Sequence, residues 1–324
     1  MKHSLQGRAA CAAALLLLAA SSACAQTAFP AKPIRFVVGA PPGGGNDVAA
    51  RIVASKMNLG QPVVVENRPG AASMISAELV AKSPPDGHTL LLVSQSVLTV
   101  SPILNRITSF DSTRDFAPVA LMGSAPLVLV VGQNVPARSV KELVALAKAE
   151  PGKLDFGSGG IGTTPFMAAN LLMLMTNTKM TSVPFQGEQA AMTEIIGGRI
   201  PLMFANAAAA IPHVKAGRLR GLAVTSSTRT NFAPDLPTVS EAGVPGFEIA
   251  TWLGIVVPAA TPKEVVARLN AEVLRSLETP DVREKLLGQG FTPARDSPEQ
   301  FGKFIQSEHA KWSRVIKDAN IKGE

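Results

Sequence analysis

Between the apolar run Ile34-Arg35-Phe36-Val37-Val38 and the segment Val48-Ala49-Ala50-Arg51-Ile52-Val53 lies Gly39-Ala40-Pro41-Pro42-Gly43-Gly44-Gly45-Asn46-Asp47. The first run is short and β-branched, and Val48, Ile52, Val53 and Met57 recur at helical spacing, so the stretch reads as strand, glycine turn and helix. Three consecutive glycines let a backbone approach a ligand with no Cβ in the way, and the following helix offers unpaired N–H groups at its positive end. The turn is expected to cradle an anion, with Asn46 or Asp47 as the helix N-cap. A ligand-free connection remains the alternative on this stretch alone, because short glycine motifs are common.

The chain around it decides how to weigh that motif. Lys2 and Arg8 precede a run without charge from Ala9 to Ala20, followed by the small-x-small site Ala23-Cys24-Ala25. This reads as a secretory signal peptide over 1–25, cleaved after Ala25, with lipidation at Cys24 as the lesser option because Ser21 stands where a leucine is usual. The run is too short and wrongly flanked for a membrane span. Both cysteines, Cys11 and Cys24, leave with it, so no thiol remains for a disulfide, a metal or a nucleophile. The formal net charge of +7 loses only Lys2 and Arg8, leaving +5. Without basic runs that surplus suits small acidic ligands and gives no reason to expect nucleic acid as a partner.

Strand and helix patterns then alternate. Pro62-Val63-Val64-Val65-Glu66 and Thr89-Leu90-Leu91-Leu92-Val93 are strands, with a helix from Ser73 to Lys82 between them. Val119-Ala120-Leu121-Met122 and Leu127-Val128-Leu129-Val130-Val131 are two more strands. Ser139-Val140-Lys141-Glu142 is a capping box opening a helix to Ala149. Such repeats predict an α/β fold with a largely parallel, helix-covered sheet.

A second glycine turn, Gly157-Ser158-Gly159-Gly160-Ile161-Gly162, fits the dinucleotide fingerprint letter for letter. That fingerprint also needs an acid for the ribose about twenty residues on. No Asp or Glu occurs between Asp155 and Glu188, so a nicotinamide cofactor is not expected. The turn remains an anion cradle, to which Ser158, Thr163 and Thr164 add hydroxyls. Ser158 is not a nucleophile elbow, since Phe156 stands where glycine is required. His88, His213 and His309 share no metal or triad spacing and read as surface or turn residues. No catalytic residue, metal site or cofactor is therefore predicted.

Farther on, Pro201 sets Leu202-Met203-Phe204 at a strand start or sheet edge. A helix from Ala207 to Ala216 is expected to kink or break at Pro212, and Leu219 to Thr225 is a strand. The box Thr238-Val239-Ser240-Glu241 opens a short helix. After the extended run Glu248 to Val257 the chain turns helical, with boxes at Thr261-Pro262-Lys263-Glu264 and Ser297-Pro298-Glu299-Gln300. Phe301, Phe304, Ile305, Trp312 and Ile316 form one apolar face, and these helices are expected to pack back on the first part of the chain.

The ordered motifs resemble the periplasmic solute-binding proteins of tripartite tricarboxylate transporters, the Bug family. They include Pro41-Pro42-Gly43-Gly44-Gly45-Asn46-Asp47, Glu66-Asn67-Arg68-Pro69-Gly70-Ala71 and Pro85-Asp86-Gly87-His88-Thr89-Leu90. Farther on come Gly160-Ile161-Gly162-Thr163, His213-Val214-Lys215-Ala216-Gly217-Arg218-Leu219 and Pro258-Ala259-Ala260-Thr261-Pro262. The resemblance implies a two-lobed periplasmic binding protein, a type II-like clamshell with two crossover strands. Lobe 1 would take 26–127 and, on return, 250–324, with lobe 2 at 128–249. It implies capture of a small carboxylate between the lobes and delivery to membrane transporter subunits, or alternatively signalling to a membrane sensor kinase. The ligand-binding residues it implies are Pro42, Gly43, Gly44, Asn46 and Asp47 on one side and Ser158, Gly159, Thr163 and Thr164 on the other. Ser94, Phe185 and Asn206 complete the set. Phe166 and Phe185-Gln186 depart from the family's histidine and tyrosine-lysine, which predicts acids with an apolar or aromatic body over citrate.

Overall fold

The computed structural model describes residues 29–105, 109–185 and 187–323; the signal segment, both cysteines and Gln186 lie outside them. The first glycine turn does join a strand, β1 (Ile34–Val38), to a helix, α1 (Gly45–Ala54). There follow β2 (Val63–Asn67), a 3-10 turn at Ala71–Ser73, α2 (Met74–Ala81) and β3 (Thr89–Ser94). After β3 come a π-helix, Ser96–Val100, and α3 (Ser101–Leu104). β1 lies between β2 and β3, all parallel, so the three carboxyl ends share one edge.

The two strands expected at 119–122 and 127–131 are one, β4 (Phe116–Gly132), seventeen residues long. Pro118, Gly123 and Pro126 look like breaks in the sequence, but register shifts at Pro118/Ala120 and Leu121/Gly123 absorb two of them without ending the strand. The second half follows with α4 (Val140–Ala149), β5 (Asp155–Ser158), α5 (Thr164–Thr176), β6 (Thr181–Pro184), α6 (Glu188–Ile196), β7 (Leu202–Asn206), α7 (Ala207–Lys215) and β8 (Leu219–Val224). The return segment holds β9 (Ala250–Pro258), α8 (Lys263–Glu278), α9 (Pro280–Gly288), β10 (Thr292–Pro293) and α10 (Pro298–Asp318).

The sheet order is β2-β1-β3-β9-β4-β7-β5-β6, with β8 and β10 also on β4. From Phe116 to Pro126, β4 runs antiparallel to β9; from Leu127 onward its partners are β7 and β8. The expectation of a largely parallel sheet is thus met only at the outer strands. The centre is antiparallel because β4 and β9 pass between the halves in opposite directions. Thr225 fastens this crossing, its hydroxyl donating to the Ile249 carbonyl at 2.6 Å and accepting the Leu127 N–H at 2.7 Å.

Each half has helices on both faces. In the first, α1, α8 and α9 cover a core with Phe36, Leu90 and Ile255, while α2 and the start of α10 cover Val37, Leu91 and Trp252. In the second, Phe156, Met167 and Phe204 fill one core and Val130, Met192 and Met203 the other. α10 opens with the expected capping box at Ser297. It does not stay on the first half: Phe301 and Ile305 pack beside Trp252, but Trp312, Val315 and Ile316 belong to the core of the second. A 21-residue helix is about 30 Å long, enough to brace both.

Three local expectations change. Thr238 and Glu241 exchange their capping bonds at 3.0 and 2.9 Å, yet only turns follow, because Gly243 and Gly246 adopt φ of +112° and +80°. Thr261 does not cap α8; its hydroxyl turns back to the Pro258 carbonyl at 2.7 Å. α7 is continuous through Pro212.

Candidate functional site

The first cradle is built by the loop holding itself. α1 begins at Gly45 with Gly44 as N-cap, so Asp47 is a first-turn residue rather than the cap, and no side chain caps the helix. Asp47, 2% exposed, bends its carboxylate back to accept the Gly43 N–H and Arg51 Nε, at 2.8 and 3.0 Å. Its other oxygen accepts Asn67 Nδ2 at 2.8 Å, and the same amide reaches the Ala40 carbonyl at 3.0 Å. Burial opposes ionisation, but Arg51, the Gly43 N–H and Asn67 outweigh it and hold the pKa down to about 2. Asp47 therefore shapes the turn and removes the Gly43 N–H from those free for a ligand. Gly43 needs its φ of +80°. Among the described residues, the N–H groups of Gly45, Asn46 and Asp47 have no protein acceptor, and Pro42, Gly43 and Gly45 are exposed. Unpaired N–H groups at a helix N-terminus are the kind of surface on which an anion can rest.

The second cradle has the same build. β5 ends in Ser158, fully buried, whose hydroxyl meets Ser182 Oγ at 3.2 Å and accepts the Gly160 N–H at 3.3 Å. Thr163 is the N-cap of α5, but its hydroxyl donates to the Gly160 carbonyl at 2.8 Å instead of capping. Ser158 and Thr163 thus spend hydroxyl bonds on the turn. Gly159 and Ile161 are exposed, and Thr164 is buried in the first turn of α5.

β5 is parallel to β6 and β7, so Ser158, Phe185 and Asn206 lie at one carboxyl edge. The two edges meet: Ser96, just after β3, donates its hydroxyl to the Gly162 carbonyl at 2.9 Å. Ser94 pairs with Leu253 of β9 and Asn206 with Leu127 of β4, so both border the crossing strands. Ligands of α/β sheets bind outside such carboxyl ends. Phe166 does not face this space; it is buried 6.2 Å from Phe156. Phe185 packs on the core of Ala191 and Met203. Phe166 is thus packing, Phe185 is half-buried at the edge, and Ile161, 42% exposed, adds apolar surface at the turn.

Two residues at these edges were not singled out from sequence. Gln95 is buried, and its amide nitrogen and oxygen have no hydrogen-bond partner. Glu188, in the first turn of α6, accepts Asn206 Nδ2 at 2.7 Å and the Asn206 backbone N–H. A glutamine at the end of an apolar strand and an acid in a first helical turn carry no distinctive pattern. His88 is buried rather than at the surface, accepting the Ala31 N–H at 3.1 Å and lying edge-on to Phe29. Among the described residues, no group of three or more His, Cys, Asp and Glu is placed to hold a metal ion.

Comparison with known proteins gives a family match and three relatives. Residues 49–321 match the family described as Tripartite tricarboxylate transporter family receptor. A protein from a Pseudomonas species, described as a UPF0065 protein in the tcbD-tcbE intergenic region, is 40% identical over 89% of this chain and 87% of its own length. Protein BugT of Bordetella pertussis is 35% identical over 91% of each chain. Among solved structures, Rpa4515 from R. palustris with adipate superposes with a TM-score of 0.78 at 33% identity, covering 91% of this chain and 99% of that one.

Proposed function

Because this chain belongs to the tripartite tricarboxylate transporter receptor family, a set of solute-binding proteins that includes Bug proteins, we propose that it is an exported receptor for a small organic acid. In this reading a carboxylate rests on the N–H groups of Gly45, Asn46 and Asp47. The body of the ligand meets the turn from Ser158 to Thr164. The observation that carries it is the pair of glycine turns, each leading from a strand's carboxyl end into a helix N-terminus, on two edges joined by the bond from Ser96 to Gly162. Each turn alone is a weak site in water. Two that close on one ligand exclude solvent and strengthen every charge-assisted bond.

The lobes are 26–127 with 250–324, and 128–249, apart from the end of α10, whose Trp312, Val315 and Ile316 pack in the second; the hinge lies where β4 changes partners at Pro126/Leu127 and where β9 begins. The structural relative described with adipate supports a carboxylate as the ligand. Ile161 favours acids with an apolar body. The family supports delivery to membrane subunits of a tripartite tricarboxylate-type transporter in the periplasm. Mass spectrometry of the small molecules released from purified protein tests the reading. A bound organic acid is expected, and a phosphate ester or a sugar in its place would refute it.

A further inference from the structure

We propose that Glu188 sets the charge selectivity of the cleft, admitting acids with one carboxylate and a neutral or cationic far end and repelling those with a second carboxylate. The inference rests on the carboxylate-binding reading above and deepens it.

The carboxylate of Glu188 reaches from the first turn of α6 to the end of β7. Oε2 accepts Asn206 Nδ2 at 2.7 Å, and Oε1 accepts the Asn206 backbone N–H. N–H donors on both oxygens favour the ionised form, which is the form the inference needs. Asn206 lies opposite Leu127, where β4 leaves one half-sheet for the other, and its Oδ1 accepts the Thr251 hydroxyl of β9 at 3.5 Å. Glu188 therefore stands at the carboxyl edge of the second half, beside both crossing strands. That edge faces the first, as the bond from Ser96 to Gly162 shows.

The two acids of the cleft differ in what surrounds them. Asp47 is matched by the Arg51 guanidinium at 3.0 Å, so the first cradle keeps the positive character of its helix end. Among the described residues, Glu188 has only the neutral Asn206 hydrogen-bonded to it, and its burial pushes the pKa up. A ligand whose carboxylate sits on the first turn thus meets donors at one end and an unmatched negative charge toward the other. Charge repulsion across a solvent-excluding cleft rejects a wrong ligand more strongly than a missing contact does.

Three probes of equal length separate the possibilities: hexanoate, ω-aminohexanoate and adipate. Titration calorimetry on the wild type should rank adipate last. In Glu188→Gln, adipate should tighten about tenfold while hexanoate changes less than about threefold. An adipate-to-hexanoate affinity ratio that is the same in both proteins would overturn the inference. A uniform loss for all three would do so too, by showing that Glu188 only braces Asn206. Should the variant fold poorly, wild-type protein that prefers adipate overturns it alone. If the wild type binds none of the three, nor any acid in a thermal-shift panel, the carboxylate reading itself falls and takes this inference with it.

Discussion

The hydroxyl of Ser96 donates to the carbonyl oxygen of Gly162 across 2.9 Å, tying the end of β3 to the second glycine turn. Val100, in the same π-helix, is buried in the core of the second half. The contact between lobes is therefore polar at the cleft and apolar behind it. A net bond of about 1 kcal/mol corresponds to roughly fivefold in a closing equilibrium. Ser96→Ala is expected to weaken ligand binding by about that factor while the core, and so the melting temperature, changes little. Calorimetry beside a thermal melt checks it; unchanged affinity would mean the bond is irrelevant to closure.

Gly44 separates ligand space from backbone requirement. Its φ of −68° and ψ of 158° suit any residue, and an added Cβ would meet only the Pro41 carbonyl at 3.2 Å and the Ala40 Cβ at 3.9 Å. Gly44→Val should fold yet lose about tenfold or more in affinity, because its side chain would stand over the exposed N–H groups. A folded variant that binds as the wild type does would remove the first turn from the site.

Asp47 makes stability depend on pH in one direction. Its folded pKa of about 2 lies below the ordinary value of 3.8, so folding favours its ionised form. That contribution, about 2 kcal/mol, is complete above the unfolded pKa and lost as pH falls from about 4 toward 2. Asp47→Ala should lower stability at pH 7 by about 2 kcal/mol and flatten the acid limb of the stability profile. Urea titrations across that window measure both. Equal slopes for the two proteins would show that the carboxylate does not hold the loop.

Glu308 joins the only two tryptophans of the chain, accepting the indole N–H of Trp252 at 3.2 Å and of Trp312 at 2.9 Å. Trp252 belongs to a core of the first half and Trp312 to one of the second, so this carboxylate ties both to α10. Glu308→Ala strands two buried donors and should cost about 2–4 kcal/mol, with altered indole fluorescence before unfolding. A loss below about 0.5 kcal/mol would mean the indoles find other partners.

Strand and helix existence was legible because buried strands such as Thr89–Ser94 carry a continuous apolar run, and because caps such as Ser297 with Gln300 are local chemistry. What escaped depends on partners far away in sequence. Pro126 looks like a strand end, yet β4 continues because β9 takes over pairing on one side of it and β7 on the other. Thr238 begins a box whose helix is stopped by glycines in left-handed backbone. The glycine turns were visible as strand-to-helix turns, but the inward use of Asp47, Ser158 and Thr163 was not, since it depends on how each turn folds back on itself. Phe166 and Phe185 drew attention as departures from the family pattern; Phe166 is buried in a core, while Phe185 is half-buried beside one.

The central claim is that two lobes close on one carboxylate. Small-angle scattering, with the acid that most raises the melting temperature titrated in, tests it most directly. Closure predicts a radius of gyration that falls with the same midpoint as binding, and a Gly44→Val protein whose radius stays constant over that range. Saturable binding by the wild type with no change in radius would contradict it.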